Sequence, residues 1–487
     1  MLIITEHFAI LTKIYSTNLM KRNIMKINYL KSFIFLVIVV LVCMTISFSK
    51  EAELQKPCCD ILEVLEKIPS TEGTVYWQDI EKLAHVKKQN SKFARVKITY
   101  DKSLLNEKEK KVLLHLVEAA KCMNEIYLMQ SYSKNLEIQK QLSNSKNPLD
   151  KVYLSYFDIC FGPFDCLDEN KNYIDSALFP ETANFYPEDM TKEEFNNWIK
   201  DHPKDKENFN SWYTVIRRYG NVLKAIPYSQ EYKTQLEKSA MHLKEAAKLS
   251  DNESLKKFLN MRADSFLSNE YYNSELAWMD VKDSKFEVVI GPYEVYTDRL
   301  FNNKTAFEAF ICLNDPEEEK KLEMYANHLR LMEENLPLAN EDKNFARSFN
   351  SPIRVVQEVY VAGDARAGIQ TSAFNLPNDE KVRETKGCKK VMLKNVMEAK
   401  FNKSLIPIAK RVIEPTQLKY VTFLGYFNHV LLHELSHGLG PGIIKKDGKK
   451  EDTKVFLEET YSIIEEAKAD TLGIYNQLFL IDKGKIP

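Results

Sequence analysis

The segment His433-Glu434-Leu435-Ser436-His437 constrains this 487-residue chain more than any other. In a helix, residues four positions apart lie one turn apart on the same face, so the two imidazoles point in the same direction. Such a pair can bind one Zn²⁺ ion, and the glutamate between them is suited to act as general base toward a metal-bound water. The apolar run Tyr420–Leu432 predicts a buried helix before the motif, and Gly438 and Gly440 predict its end.

A third ligand is needed to complete a zinc site, and the downstream segment Phe456–Tyr475 offers candidates. This segment is a second helical pattern that contains Glu465, Glu466 and Asp470. Glu466 and Asp470 share one helix face, so Glu466 can bind the metal while Asp470 accepts the outer N–H of a ligand histidine. Acidic runs of this kind are more often solvent-exposed helix faces. The histidine motif upstream favours the zinc interpretation.

The composition narrows the class of protein. The 68 basic and 69 acidic residues nearly cancel, which gives no indication of a nucleic-acid partner or an anionic membrane surface. The length is sufficient for two or more hydrophobic cores, or for two lobes around a cleft. The eight cysteines are scattered, so buried free thiols are favoured, and a bridge between Cys160 and Cys166 is the alternative if the chain is exported.

The N-terminal region resembles a targeting signal. Lys26 and Lys31 precede the apolar run 32–49, which ends in small and polar residues. This is the layout of a secretory signal peptide that starts at Met25 and predicts a periplasmic or extracellular protein. An uncleaved membrane anchor is the alternative, and it would be the chain's sole contact with a membrane.

Hydrophobic periodicity predicts a mostly α chain of the α+β class, with a modest β component in the middle. The predicted domains are an N-terminal extension at 1–49, a mixed α/β lobe at 50–318, and a mostly helical zinc-binding lobe at 319–487 from which 350–380 returns to the mixed lobe. A cleft between the two lobes is the simplest arrangement. Helices are predicted at 59–67, 104–132, 229–279 with a break near 250–252, 305–333 and 389–401; strands at 285–290 and 353–361; and mainly loops at 150–215.

Three separated segments together resemble the dipeptidyl peptidase III family, the M49 zinc exopeptidases. The first is HELSHGLGPG with IIEEAKADTLG, which is similar to the family's paired zinc motifs in the bacterial branch that has a plain HExxH. The second is the stretch 365–378, which ends in Asn-Leu-Pro-Asn. The third is Ile290–Asp298 followed by Phe307–Phe310.

This resemblance implies roles for the residues of the zinc motifs. His433, His437 and Glu466 would be the ligands of one zinc ion, Glu434 would activate a zinc-bound water, and Glu465 and Asp470 would orient the ligand histidines. The implied reaction is release of dipeptides from the N-terminus of short peptides. The implied mixed lobe has a β-barrel core.

Three further residues are candidates for substrate contact. Asn375 and Asn378 match family asparagines that hydrogen-bond the backbone of the peptide. Glu294 can meet the amino group of the substrate, although a salt bridge within the lobe would explain it equally well.

The chain departs from the family pattern in ways that leave other functions open. Val289 stands where the family has a catalytic tyrosine, so Tyr293 or Tyr296 would have to replace it. His437 is the last histidine, whereas the family has a further one downstream, and the sequence is therefore expected to be truncated at its C-terminus. The alternatives are a catalytically impaired zinc-containing protein that binds peptides, and a hydrolase of non-peptide amides.

Overall fold

The structure is a computed structural model that describes residues 77–486 except 176, 344, 346–352, 447, 458 and 459. The predicted signal segment and the helix predicted at 59–67 lie outside the described residues. In the part of the chain that is described, no helix combines the length and the apolar character that a membrane span requires.

Helices dominate the described residues. The helices are α1 Trp77–Ser91, α2 Glu107–Ser131, α3 Asn135–Asn144, α4 Pro148–Cys160, α5 Lys192–Asp201, α6 Lys206–Asn210, α7 Tyr228–Glu231, α8 Lys233–Leu249, α9 Glu253–Ser268, α10 Tyr272–Met279, α11 Pro316–Ala326, α12 Leu329–Asn335, α13 Glu380–Lys386, α14 Lys394–Lys400, α15 Ile406–Val412, α16 Phe423–Ser436, α17 Thr453–Leu457 and α18 Tyr461–Asp482. The strands are β1 Thr214–Tyr219, β2 Val222–Pro227, β3 Phe286–Glu294, β4 Ala306–Asn314, β5 Ile353–Gly363, β6 Ala373–Leu376, β7 Lys389–Leu393, β8 Ile443–Lys446 and β9 Lys449–Asp452.

The main sheet has five strands in the order β3-β4-β5-β7-β6. All neighbouring pairs are antiparallel except β5 and β7, which run parallel. The expected β-barrel is not confirmed, because the described strands form a sheet with a linear order. The remaining four strands make two separate hairpins, β1-β2 and β8-β9.

The first hydrophobic core lies between the sheet and the helices that precede it. Helix α2 packs against α8 and against β4, and α8 packs against α9. Helix α2 begins at a capping box, in which the Asn106 side chain accepts from the Glu109 N–H at 2.9 Å and the Glu109 carboxylate accepts from the Asn106 N–H at 2.8 Å. This pair fixes the start of the longest helix of the first core.

The second core is built mainly from later residues and carries the histidine motif. Leu431 and Leu432 of α16 and Leu480 of α18 are fully or almost fully buried in it. The sheet contributes Val355 from β5 and Met392 from β7 to the same cluster. One sheet therefore forms a wall of both cores, and the chain has the expected two-lobe, mostly helical architecture.

Several element predictions are confirmed and others are wrong. The helix predicted at 104–132, the break near 250–252 and the strands at 285–290 and 353–361 are all present. The helix predicted at 305–333 is wrong in its first third, because 306–314 is the strand β4, buried on both faces between β3 and β5. A strand covered on both faces is apolar at nearly every position, so its sequence lacks the alternation that identifies a strand.

Two other segments also differ from the prediction. The helix predicted at 389–401 begins with strand β7, and only residues from 394 onward are helical. The segment 150–215, predicted as mainly loops, contains most of α4 and all of α5 and α6. Thr191 caps α5 by accepting from the Glu194 N–H at 3.1 Å, whereas Asp205 at the start of α6 makes no capping hydrogen bond with its side chain.

The cysteines of the described residues are free thiols. Cys122 and Cys312 are buried, as predicted. Cys166 is exposed, so the prediction of burial is wrong for this residue, and its sulfur lies 3.3 Å from that of Cys160.

The glycine of the Ile290–Asp298 segment is explained by a buried arginine. Arg262 is fully buried and donates to the carbonyl of Ile290 at 3.0 Å and to the carboxylate of Glu275 at 2.5 Å. Gly291 has a φ of +152°, and a Cβ atom there would lie 2.4 Å from the Arg262 guanidinium. The ion pair and the strand can coexist only if residue 291 has no side chain.

We expect Gly291→Ala to lower the free energy of unfolding by about 2–4 kcal/mol, because the methyl group displaces a buried, hydrogen-bonded cation. Urea denaturation measures this change. Gly220→Ala is the matched control, since Gly220 also has a positive φ, +60°, but has open space around it. It should cost only about 1 kcal/mol, and equal losses in the two variants would contradict the role assigned to Arg262.

Candidate metal centre

Helix α16 presents the two histidines at its C-terminal end. Thr422 caps its start by accepting from the Gly425 N–H at 3.1 Å. The helix ends at Ser436, and the chain turns away where the Gly438 N–H donates to the Leu435 carbonyl at 2.9 Å. The predicted helix thus begins three residues later than its apolar run, and it ends as predicted.

Helix α18 approaches α16 closely because of a glycine. A Cβ atom on Gly473 would lie 2.9 Å from the backbone nitrogen of His433 and 3.1 Å from its Cα. Gly473 follows Glu466 and Asp470 at helical spacings of seven and three residues, so all three lie on one face of α18. The bare backbone at this position lets the acidic face of α18 reach the histidines.

The two helices bring three potential ligand groups together. The Nε2 atoms of His433 and His437 are 3.2 Å apart. Glu466 Oε2 lies 3.3 Å from the first, and Glu466 Oε1 lies 3.7 Å from the second. A tetrahedral ion with bonds of about 2.0–2.1 Å holds its ligand atoms about 3.3 Å apart. The separations of the three groups are close to this value, so their spacing is compatible with one shared divalent ion.

The outer nitrogens of both rings are held by carboxylates of the same helix. His433 Nδ1 lies 2.8 Å from Asp470 and His437 Nδ1 lies 3.0 Å from Glu465. These contacts leave both Nε2 atoms directed toward Glu466, as metal ligation requires. Burial acts to raise the pKa of Glu465, but hydrogen bonds from His437 and Lys468 outweigh it and keep that pKa below its usual value.

Lys468 also ties the turn after the motif to α18. Its ammonium group donates to the Leu439 carbonyl at 3.0 Å and pairs with Glu465 at 2.9 Å. A single lysine thus holds both a histidine-orienting carboxylate and the chain that leaves α16.

Glu434 lies next to the ligand histidines without being needed as a third ligand. One of its carboxylate oxygens is within 4.8 Å of a ring nitrogen of each histidine. The same carboxylate accepts a hydrogen bond from Lys390 at 3.0 Å. Because Glu466 is closer than Glu434 to the Nε2 atoms of both histidines, Glu434 is available for a role other than metal binding.

The predicted substrate residues lie on or beside the main sheet. Asn375 is exposed on β6 and is the register partner of Lys390 on β7. Asn378 donates to the Tyr293 carbonyl at 3.1 Å, which places it at the end of β3 beside Glu294. The predicted contacts of Asn375, Asn378 and Glu294 with a peptide stay predictions, but the fold places Asn375 one strand away from the residue that holds Glu434.

Glu294 belongs to a group of carboxylates. Burial raises its pKa, and a hydrogen bond from Asn378 partly offsets that effect. Burial also raises the pKa of Glu308, and raises that of Asp364 to about 6, and each of these acids feels the negative charge of its neighbours. The end of the sheet near Asn378 is therefore an environment that favours a cation.

The two tyrosines considered as replacements at Val289 have different surroundings. Tyr293 is buried in the first core, and its ring lies 5.6 Å from the Arg262 guanidinium. Tyr296 is exposed at 76%. Val289 itself is fully buried. Of the two tyrosines, only Tyr296 can reach a molecule in solution.

Three residues of this centre were not identified from the sequence. In the sequence, Gly473 is a helix-destabilising residue within a helical pattern, and Lys390 and Lys468 resemble ordinary surface lysines. The spacing of Gly473 relative to Glu466 is the one signal that could have identified it, because a glycine on the ligand face of a helix indicates close packing. The contacts of the lysines depend on tertiary structure.

Comparisons with known proteins identify the family and the fold. The family model "Peptidase family M49" matches residues 225–469. The structure of DPP III from Caldithrix abyssi is 57% identical, with a TM-score of 0.80 and coverage of 82% of this chain and 76% of that chain. The structure of dipeptidyl-peptidase III from Corallococcus sp. strain EGB is 41% identical, with a TM-score of 0.70 and coverage of 83% and 76%.

A curated plant protein is also similar. "Nudix hydrolase 3" of Arabidopsis thaliana is 37% identical over 452 residues, which cover 82% of this chain and 58% of that protein. The chain thus spans less than two thirds of the length of this relative.

A two-lobe fold with an HExxH helix and an acidic partner helix defines a metal-dependent hydrolase architecture. Within that class, the chain belongs to peptidase family M49. The resemblance noted from three sequence segments is therefore confirmed at the level of the family.

We expect Gly473→Ala to weaken metal binding about tenfold, because the added methyl group pushes α18 away from His433 and displaces Glu466 and Asp470 together. Competition with a metal chelator measures this affinity. Thr471→Ala, an exposed position two residues earlier on α18, should leave the affinity unchanged. Unaltered affinity in Gly473→Ala would show that the close helix contact does not position the ligands.

Proposed function

We propose that this protein is a zinc metallopeptidase that releases dipeptides from the N-terminus of short peptides. The observation that carries the proposal is the convergence of His433, His437 and Glu466 at separations of 3.2–3.7 Å, with Glu434 beside them. Two imidazoles and one carboxylate are the ligand set of many catalytic zinc sites, in which one position stays open. The similar DPP III structures support the same reaction.

The donor set and its surroundings fit zinc rather than a harder cation. Imidazole nitrogen suits zinc, whereas calcium and magnesium prefer sites made of oxygen ligands. When bound, zinc supplies a Lewis acid that polarises a carbonyl oxygen and acidifies water. His433, His437 and Glu466 would hold it, and Asp470 and Glu465 would fix the two rings.

Glu434 carries the proton transfer in this proposal. Its carboxylate accepts a proton from the attacking water and delivers it to the amine that leaves. The hydrogen bond from Lys390 occupies one oxygen, Oε2, and leaves the other oxygen available for the water. Family members carry a tyrosine where Val289 stands, so any hydroxyl that assists the carbonyl must come from another residue, and the exposed Tyr296 is the candidate.

The sheet offers a place for the peptide. Among the described strands, β6 lies at the edge of the sheet, and an extended peptide can pair with such an edge through its backbone. Asn375 on β6 and Asn378 just after it would bind the backbone of the peptide. The carboxylate group that includes Glu294 would bind the amino terminus, which limits the product to a short N-terminal piece.

A peptide-binding protein without turnover is the second candidate function. The buried Val289 in place of a catalytic tyrosine is the observation that favours it. Zinc and peptide binding without any cleavage would establish it. Hydrolysis of amides that are not peptides would instead appear in a substrate screen.

We expect Glu434→Gln to abolish hydrolysis of dipeptidyl arylamides while zinc stays bound, because the variant loses the proton acceptor and keeps all three ligands. The rate should fall by about 10³-fold or more. Release of the arylamine and metal analysis of the purified protein measure the two properties.

The matched variant Glu466→Gln should behave differently. It removes the charged ligand, so both zinc content and activity should fall, and excess zinc should restore part of the activity. Substantial activity in Glu434→Gln would contradict the mechanism, and full zinc content in Glu466→Gln would contradict the ligand assignment.

We expect Glu294→Gln to raise KM for peptides with a free amino terminus by about tenfold, because a buried ion pair with the substrate is lost. Steady-state kinetics with one peptide and its N-acetylated form measure this effect. The variant should no longer distinguish the two forms strongly. An unchanged preference for the free amine would show that another group binds it.

A further inference from the structure

Strand β7 carries two adjacent lysines that point to opposite faces of the main sheet. Lys389 is buried in the first core, where it pairs with Glu287 at 3.2 Å. Lys390 points the other way, as does Met392 two residues later, because side chains alternate along a strand. Met392 packs in the second core together with residues of α16. Strand alternation therefore directs Lys390 toward the metal-bearing helix.

The Lys390 ammonium group makes two contacts with one residue. It donates to the Glu434 carboxylate at 3.0 Å and to the Glu434 backbone carbonyl at 2.9 Å. That carbonyl lies in the last turn of α16, where carbonyl groups lack helical partners and a cation is favourable. Two anchor points fix the direction of the carboxylate as well as its distance.

The contact between Lys390 and Glu434 is partly shielded from solvent, which strengthens it. The side chains of Lys390 and Glu434 are 14% and 23% exposed. An ion pair between two mobile surface side chains contributes little, whereas a pair held by a strand and a helix has lost less freedom on pairing. The adjacent pair of Lys389 and Glu287 keeps the strand itself fixed in the first core.

The same strand lies next to the proposed peptide site. Lys390 is the register partner of Asn375 on β6. Two adjacent strands, β7 and β6, thus connect Glu434 and Lys390 to the edge where an extended peptide would pair. A shift of α16 relative to the sheet would move Glu434 relative to the peptide unless the lysine held it.

We propose that Lys390 is a positioning residue, which fixes the Glu434 carboxylate relative to the sheet on which the peptide lies. This inference rests on the proposed peptidase function. The lysine does not touch the metal ligands in this role. It acts on the reaction through Glu434 alone.

Kinetics of Lys390→Met test the proposal, because methionine keeps much of the stem and removes the charge. We expect kcat for dipeptidyl arylamides to fall about 10–100-fold, as is usual when the partner of a catalytic group is removed. KM and zinc content should change less than about twofold. Lys390→Arg, which keeps a cation able to donate, should recover part of kcat.

Lys386→Met is the matched control. Lys386 lies on α13 and pairs with Asp280 at 2.7 Å, and both side chains are exposed. Its removal should leave kcat and KM unchanged. An unchanged kcat in Lys390→Met, or a rise in KM alone, would overturn the positioning role.

A measurement that needs no turnover separates this inference from the proposed function. The loss of Tm caused by Lys390→Met should be larger in the wild-type protein than in Glu434→Ala, since the carboxylate contact exists only in the first. Additive shifts would overturn the inference even if the enzyme is active. A wild-type protein that cleaves no peptide would instead overturn the proposed function, and the Tm comparison would still decide whether Lys390 holds Glu434.

Discussion

The close approach of α18 to the end of α16 is the contact on which the rest of the centre depends. Gly473 allows it, because no side chain separates its backbone from that of His433. From this contact, Glu466 and Asp470 reach the histidines at successive turns of the same helix face. A site of this kind depends first on backbone spacing and only then on the chemistry of its ligands.

The main sheet contributes to the position of Glu434 in a comparable way. Strands β5 and β7 supply residues to both hydrophobic cores, so the sheet is common to the two lobes. The neighbouring lysines of β7 show how this works at the level of single residues. One forms a buried ion pair in the first core, and the other reaches the glutamate of the metal-bearing helix. The geometry between Glu434 and the sheet is therefore set by one strand.

The sequence predicted that His433, His437 and Glu466 lie close together, and the structure places them so, because this arrangement is encoded in local spacing. Two histidines four residues apart and a following acidic helix define a face without reference to the rest of the fold. The helix from 104 to 132 was predictable for the same reason, since its apolar residues recur with helical periodicity and Asn106 supplies a cap. Strand β4 was not, because a strand buried on both faces has no periodic pattern. Gly473, Lys390 and Lys468 act through tertiary contacts, and a single sequence carries no record of which distant residue each one meets.

Among the described residues, the carboxylates that pair with the two histidines all come from α18: Glu465, Glu466 and Asp470. In the proposed zinc site, ion binding and the association of this helix with α16 would therefore be linked equilibria, and each would strengthen the other by the same factor. A substitution on the far face of α18 that weakens its packing should loosen the ion although it touches no ligand. Conversely, zinc occupancy of the proposed site would report on how firmly the last long helix of the described chain is attached to the protein.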